Sequence, residues 1–270
     1  MVIVADNMNQ IYHEILVNIL DNGKHVDNTL EIQNAQFTLT NLDNNVITIR
    51  ENTSLKYLLG ELVWYFSGDN SLDFIGKFSS FWENISDDGE TANSAYGYIL
   101  HNKFGFDQVE QVIEILSSDE HSRRALININ SPHNNVQDTF DEPCTIALQY
   151  FIRDGKLHST GMMRSNDMWF GFPYDIPYFT ELQKYIAHRL DIETGSYTHF
   201  VTSMHVYDRN LENIEKSASN YSKEQETVTI NVLELISNID ILHETLRTAQ
   251  DAHGIVIDLC KEYNVIEMSE

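Results

Sequence analysis

Basic residues are scarce in this chain: 17 Lys and Arg stand against 41 Asp and Glu, for a formal net charge of −24. A field of that sign repels nucleic acid and anionic membrane, so a polymer-binding role is disfavoured. Two cysteines, Cys144 and Cys260, are too few for a disulfide framework and lack metal-ligand spacing, so each reads as a free thiol and no metal site is expected. No run approaches the roughly 18 uninterrupted apolar residues of a membrane span. The N-terminal stretch has neither the basic n-region nor the cleavage site of a signal peptide, and the cytoplasm is the expected location. The four prolines mark no domain boundary, and internal repeats and low-complexity blocks are absent.

What is present is enough apolar material, 42% of 270 residues, for one substantial core. Helical spacing predicts an amphipathic helix over 8–22 and another over 54–66, with Ser54 as cap and Gly68 as stop, which puts Glu61 and Trp64 on a helix. Residues 29–50 read as a pair of short strands split by NLDNN. The polar stretch 83–95 reads as a loop at a site edge, and 107–118 as a helix. Strands are expected over 125–129, 145–152, 156–162 and 200–206, with a helix over 178–190. The remainder reads as mostly helical, with Leu233, Ile236, Ile239 and Leu246 on one face ahead of a fraying acidic tail. Strands and helices interleave without the glycine fingerprint of a dinucleotide fold, so a single mixed α+β domain over 1–270 is expected.

Against so acidic a background, a phosphate site would have to be a local exception built from the few arginines, whose planar fork binds phosphate in a bidentate way. Arg123, Arg124 and Arg164 flank Cys144 in sequence, and nearby guanidinium groups lower a thiol's pKa. Taken alone, Cys144 at the mouth of an apolar strand favours a buried structural thiol, and Arg123-Arg124 serves equally as surface charge. The segment from Met163 to Ile176, MRSNDMWFGFPYDI, is more specific because it packs polar and charged groups between apolar residues without a regular period. His205 and Tyr207, two apart on one strand, point to the same side, where both can bond one hydroxylated ligand; a core histidine beside a half-buried tyrosine fits the same pattern.

In order and spacing, ELVWYFSGD, Trp82, Tyr96, SRRALININ, PCTIALQYFIRDGKL, RSNDMWFGFPYDIPYF and MHVY resemble the thymidylate synthase family over roughly residues 28 to 210. The resemblance implies a mixed sheet packed with helices, the sheet forming the interface of a homodimer. It implies that Cys144 adds to carbon 6 of a pyrimidine nucleotide, so that carbon 5 attacks 5,10-methylenetetrahydrofolate as co-substrate, without a metal. Arg164 and Ser165 would bind the substrate phosphate, with Arg123 and Arg124 reaching across from the second subunit. Glu61 matches the catalytic glutamate that organises water and proton transfer, and Tyr96 joins that network. His205 and Tyr207 would hold the sugar hydroxyl; Trp82, Asp167 and Gly171 would serve the folate.

The departures carry the substrate argument. The family's uracil-reading asparagine falls on Asp175, and an ionised carboxylate cannot donate to uracil O4. It can accept from the cytosine amino group and from N3, which becomes protonated as the thiolate adds. Thr145 stands where the thymine-making enzymes have histidine after the nucleophile, and Ile85 replaces a second folate-facing tryptophan. These changes resemble the phage deoxycytidylate hydroxymethylases, in which water rather than hydride traps the one-carbon unit; in a viral case the setting would be the host cytoplasm. A cytidylate methylase or ribonucleotide hydroxymethylase of the family, and a non-catalytic nucleotide-binding relative, are the competing readings. The family's closing C-terminus is not recognisable in KEYNVIEMSE, and no N-terminal arginine stands where a further phosphate ligand is expected.

Overall fold

A computed structural model describes residues 2–50, 53–132, 138–222 and 227–269. In chain order it has β1 (Val2–Ala5), α1 (Met8–Asn22), β2 (Lys24–Val26), β3 (Thr29–Leu39), α2 (Leu55–Ser67), α3 (Leu72–Ile75), α4 (Phe81–Ile85), α5 (Tyr96–His101) and α6 (Gln108–Ser118). There follow β4 (Leu126–Asn128), β5 (Thr145–Arg153), β6 (Lys156–Asp167), α7 (Phe172–Arg189), β7 (Glu193–Tyr207), α8 (Leu211–Ser219), β8 (Thr227–Ile230), α9 (Val232–Ser237), α10 (Ile239–Thr248), α11 (Ala252–Glu262) and β9 (Ile266–Ser269).

Seven strands form one sheet in the order β1-β3-β7-β6-β5-β4, with β2 on β3. The β1–β3 and β6–β7 pairs are parallel and the others antiparallel, so the sheet is mixed and the fold is α+β as expected. Along β6 and β7 the side chains alternate: Leu157, Ser159, Gly161 and Met163 with Tyr197, His199 and Val201 are buried, while Thr160, Met162, Thr198 and Phe200 on the opposite face are partly exposed. Among the described residues no helix is long and apolar enough to cross a membrane.

The structure corrects four expectations. Beyond β3 the chain makes a short 3-10 turn at Leu42–Asn44, and 46–50 forms no second strand: Ile47 and Ile49 are buried, while the Asn9 side chain accepts from the Thr48 and Ile49 backbone in place of a ladder. Three residues of the stretch read as loop over 83–95 belong to α4. RSND is the last part of β6, and α7 begins at Phe172, six residues before the expected start. Pro173 lies where a helix needs no N–H, and Pro177 removes one bond without ending the helix. Over 232–246 Val232, Leu235, Leu242 and Leu246 are buried while Leu233, Ile236 and Ile239 are only partly so, and the tail pairs as β9 with β8 instead of fraying.

Local chemistry sets the elements that carry the site. Ser54 caps α2 by accepting from Tyr57 N, and Gly68 closes it at φ 72°, a left-handed conformation suited to glycine. α5 crosses α2 at Gly97, where a Cβ would lie 1.8 Å from the Tyr65 carbonyl oxygen. Only glycine permits that approach, and it brings the Tyr96 ring to 5.3 Å from that of Tyr65.

Candidate active site

The C-terminal ends of β6 and β7, the start of α7 and the helices α2, α4 and α5 surround a cleft of about 710 Å³. That size suits a small-molecule ligand. Cys144 enters it just ahead of β5, next to a bulge: Thr145 pairs with Met163 but Ala147 with Met162, leaving Ile146 as the extra, exposed residue. A bulge re-aims its neighbours, and Arg164 N donates to Cys144 O at 2.9 Å to fix the backbone there.

Within one chain, Arg164 alone lowers the thiol. Burial pushes Cys144 up to about 11, outweighing the lowering by Arg164, and the Asp175, Glu142 and Asp141 charges add to the rise. Arg164 is turned to the chain: Nε donates to Pro143 O at 3.2 Å and a terminal nitrogen to Glu142 O at 3.0 Å. The guanidinium therefore straps the segment that leads into Cys144, and burial favours the protonated thiol.

Glu61 is buried on α2 and accepts from Tyr57 Oη at 2.6 Å; Tyr57 Oη in turn accepts from Trp82 Nε1 at 3.0 Å. Burial raises Glu61 to about 8, with the hydrogen bond from Tyr57 opposing the rise and the Asp175 charge adding to it. Thr145, fully buried, donates to Tyr96 Oη at 2.9 Å and so occupies the hydroxyl beside Cys144.

Asp175 lies in the first turn of α7, where the helix dipole favours negative charge, and Asn166 Nδ2 donates to its Oδ2 at 2.8 Å. Burial nevertheless raises it to about 7, against the lowering by Asn166 and with Asp167 adding to the rise. Gly171 is adjacent: a Cβ there would meet Asp175 Oδ2 at 3.1 Å and Asn166 Nδ2 at 3.3 Å. Asp167 accepts from Trp169 N at 2.8 Å, and burial raises its carboxyl. His205 and Tyr207 line the cleft with ring centroids 5.4 Å apart, and His205 Nδ1 is buried without a hydrogen-bond partner among the described residues. Ser165, Trp82 and Ile85 line it as well.

Arg123 and Arg124 are the exception, exposed ahead of β4 and outside the cleft of their own chain. Conversely, sequence reading passes over Tyr57, Arg50 and Arg209, which line the cleft. Tyr57 stands four residues before Glu61 on one helix, and that spacing is the signal that places them together. Arg50 is held over the Trp169 ring at 4.1 Å, and Arg209 over the Tyr207 ring at 4.4 Å; nothing in the local sequence announces either. Compared with known proteins, the chain matches the family model described as Thymidylate synthase over residues 10–250, wider than the stretch its motifs cover.

Proposed function

The chain belongs to the thymidylate synthase family, and from that premise we propose that it transfers a one-carbon unit from 5,10-methylenetetrahydrofolate to carbon 5 of dCMP, with water completing a hydroxymethyl group. Membership implies folate-dependent one-carbon transfer to a nucleotide; the choice of cytosine and the hydroxymethyl product go further. The observation that carries the choice of cytosine is Asp175, a carboxylate inside the cleft, oriented by Asn166 and matching the family's uracil-reading asparagine; the hydroxymethyl product rests on the resemblance and on Ile85 in the cleft wall. A carboxylate there accepts from the cytosine amino group and from protonated N3, whereas uracil O4 would face it unpaired.

Each residue then has a task. As Cys144 Sγ adds to carbon 6, electron density moves through carbon 4 to N3; the thiol proton passes through water in the cleft to N3, and ionised Asp175 accepts from the resulting N3–H and from the amino group. Arg164 leaves Pro143 and Glu142 for the phosphate, with Ser165 beside it, and this exchange brings a dianion's worth of charge against the guanidinium in place of two carbonyls. His205 and Tyr207 hold the sugar hydroxyl. Tyr57, Glu61 and Trp82 form a hydrogen-bonded wall that can hold water and move its proton. The folate supplies the one-carbon unit; the residues present fit it, since Trp82, Ile85 and the exposed Phe81 and Phe170 give apolar surface beside the half-buried Asp167 acceptor. A homodimer in which the partner's Arg123 and Arg124 complete the phosphate site accords with the family and with the outward position of these arginines.

Mass spectrometry of the products from dCMP, dUMP and CMP with methylenetetrahydrofolate tests this reading. A hydroxymethyl increment on dCMP with tetrahydrofolate released is expected; a methyl increment with dihydrofolate makes the protein a methylase, and no product from any nucleotide overturns the catalytic reading. Cys144→Ser serves as control, binding dCMP but releasing no tritium from carbon 5.

A further inference from the structure

Behind Asp175 lies a chain of buried polar groups that runs from Asn166 in the cleft wall to Tyr197 and His199, which are not among the residues lining the cleft. Tyr197 and His199 on β7 are fully buried. Tyr197 Oη lies 2.8 Å from His199 Nδ1, His199 Nε2 lies 3.2 Å from Asn166 Oδ1, and Asn166 Nδ2 donates to Asp175 Oδ2 at 2.8 Å.

The proton order follows from the partners. Asn166 turns its NH2 to a carboxylate, so its carbonyl oxygen faces His199 and can only accept. His199 Nε2 must therefore carry the ring's proton. Burial pushes the imidazole down to about 3, so the ring is neutral, Nδ1 is bare and the Tyr197 hydroxyl donates to it. All three donors are directed toward Asp175. The ring plane is held by Phe37, stacked at 5.1 Å and 24°, and by Phe172, edge-on at 5.9 Å and 88°. Room for the tyrosine hydroxyl exists because residue 161 on neighbouring β6 is glycine: a Cβ there would lie 2.3 Å from Tyr197 Oη.

We propose that Tyr197 and His199 are positioning residues for the base-reading carboxylate: a one-way hydrogen-bond relay that locks the His199 tautomer, fixes the Asn166 amide and presents Asp175 as an oriented acceptor for an amino-bearing pyrimidine. The role of the relay rests on the reading of Asp175 given above. Without the tyrosine hydroxyl, the imidazole is free to place its proton on Nδ1; Nε2 then opposes Asn166 Oδ1, the amide turns, and a carbonyl faces the carboxylate. Other groups coupled to the Asp175 charge are Glu61 and Tyr65 from α2, Tyr96 from α5, Cys144 ahead of β5, Asp167 from β6 and Tyr197 itself. The Asn166 hydrogen bond is the contribution that opposes burial, so losing the amide orientation that the relay fixes moves Asp175 upward.

The test is the carbon-13 NMR titration of the Asp175 carboxyl in ligand-free protein, followed by the pH profile of kcat/KM with dCMP. His199→Leu is expected to raise the carboxyl midpoint by roughly one unit, and Tyr197→Phe by a smaller step in the same direction, with the acid limb of kcat/KM moving in parallel. His199→Gln, whose amide can donate to Asn166 and accept from Tyr197, should return both toward wild type. Unmoved midpoints in folded His199→Leu and Tyr197→Phe overturn the relay and leave the two residues as packing. Should His199→Leu fail to fold, Tyr197→Phe, which removes one atom and keeps the ring, decides alone. The carboxyl titration needs no turnover, so it reads the relay even if wild-type protein makes no product from dCMP.

Discussion

Tyr57 Oη donates to Glu61 Oε1 across 2.6 Å while accepting from Trp82 Nε1, so a single hydroxyl joins the buried carboxyl to the cleft wall. Tyr57→Phe leaves the indole N–H without this acceptor and removes a donor from a buried oxygen, which costs about 1–3 kcal/mol of stability. The hydrogen bond opposes the upward shift of Glu61, so its loss raises that carboxyl further. Steady-state kinetics are expected to show kcat lowered by about 100-fold, the lower end of general acid–base effects, with KM for the nucleotide nearly unchanged. A variant with wild-type kcat would remove Tyr57 from the water-handling network.

Asp175→Asn replaces an acceptor by a group that can both accept and donate, and Asn166 still has an oxygen to bond. Turnover of dCMP should fall by orders of magnitude and some reaction with dUMP should emerge, because an amide satisfies both N3–H and O4 of uracil. The ratio of kcat/KM for the two nucleotides is the measurement. Unchanged cytosine selectivity would take base reading away from Asp175.

Glu61 also makes stability depend on pH. Burial raises its folded pKa from 4.5 to about 8, so between these values the folded state holds a proton that the unfolded chain releases. Its contribution is fully present below the unfolded pKa and is lost as pH rises through about 8. At about 1.4 kcal/mol per unit the effect reaches at most a few kcal/mol. Urea midpoints of the wild type should therefore fall between pH 5 and 9, and those of Glu61→Gln should fall less, Asp175 supplying part of the remaining slope. Parallel profiles for the two proteins would contradict an uncharged Glu61 at neutral pH.

The parts of this fold that depend on neighbours in sequence were legible there. The Ser54 cap and Gly68 stop of α2 are local chemistry, and they set Glu61 on its helix correctly. The start of α7 was misread because Pro173 and Pro177 punctuate the sequence, although a helix tolerates proline near its N-terminus. The difference matters for function: the motif places Asp175 at the site from sequence, but its position in a first helical turn is visible only in the structure. The relay could not be read at all. Asn166 and His199 lie on adjacent parallel strands, but the register sets His199 level with Gly161, five positions before Asn166, so no spacing in the sequence announces their 3.2 Å contact. Likewise the tail becomes β9 because residues 227–230 offer it a partner strand, which no local periodicity reveals.

Ile85 bears on the fate of the one-carbon unit. It ends α4, partly exposed, and lines the cleft one helical turn after Trp82, whose indole is already committed to Tyr57. An indole at this position would add apolar surface to the wall of the cleft that Tyr57 and Glu61 also line, and would displace water that a hydroxymethyl product requires. Ile85→Trp is thus expected to lower hydroxymethyl formation from dCMP several-fold while dCMP binding and Cys144-dependent tritium release persist, separating water entry from nucleophilic addition. Product mass spectrometry alongside tritium release checks both arms. If hydroxymethyl formation and tritium release fall together, the side chain acts on binding or addition rather than on water, and the cleft beside Ile85 is not the route by which water arrives.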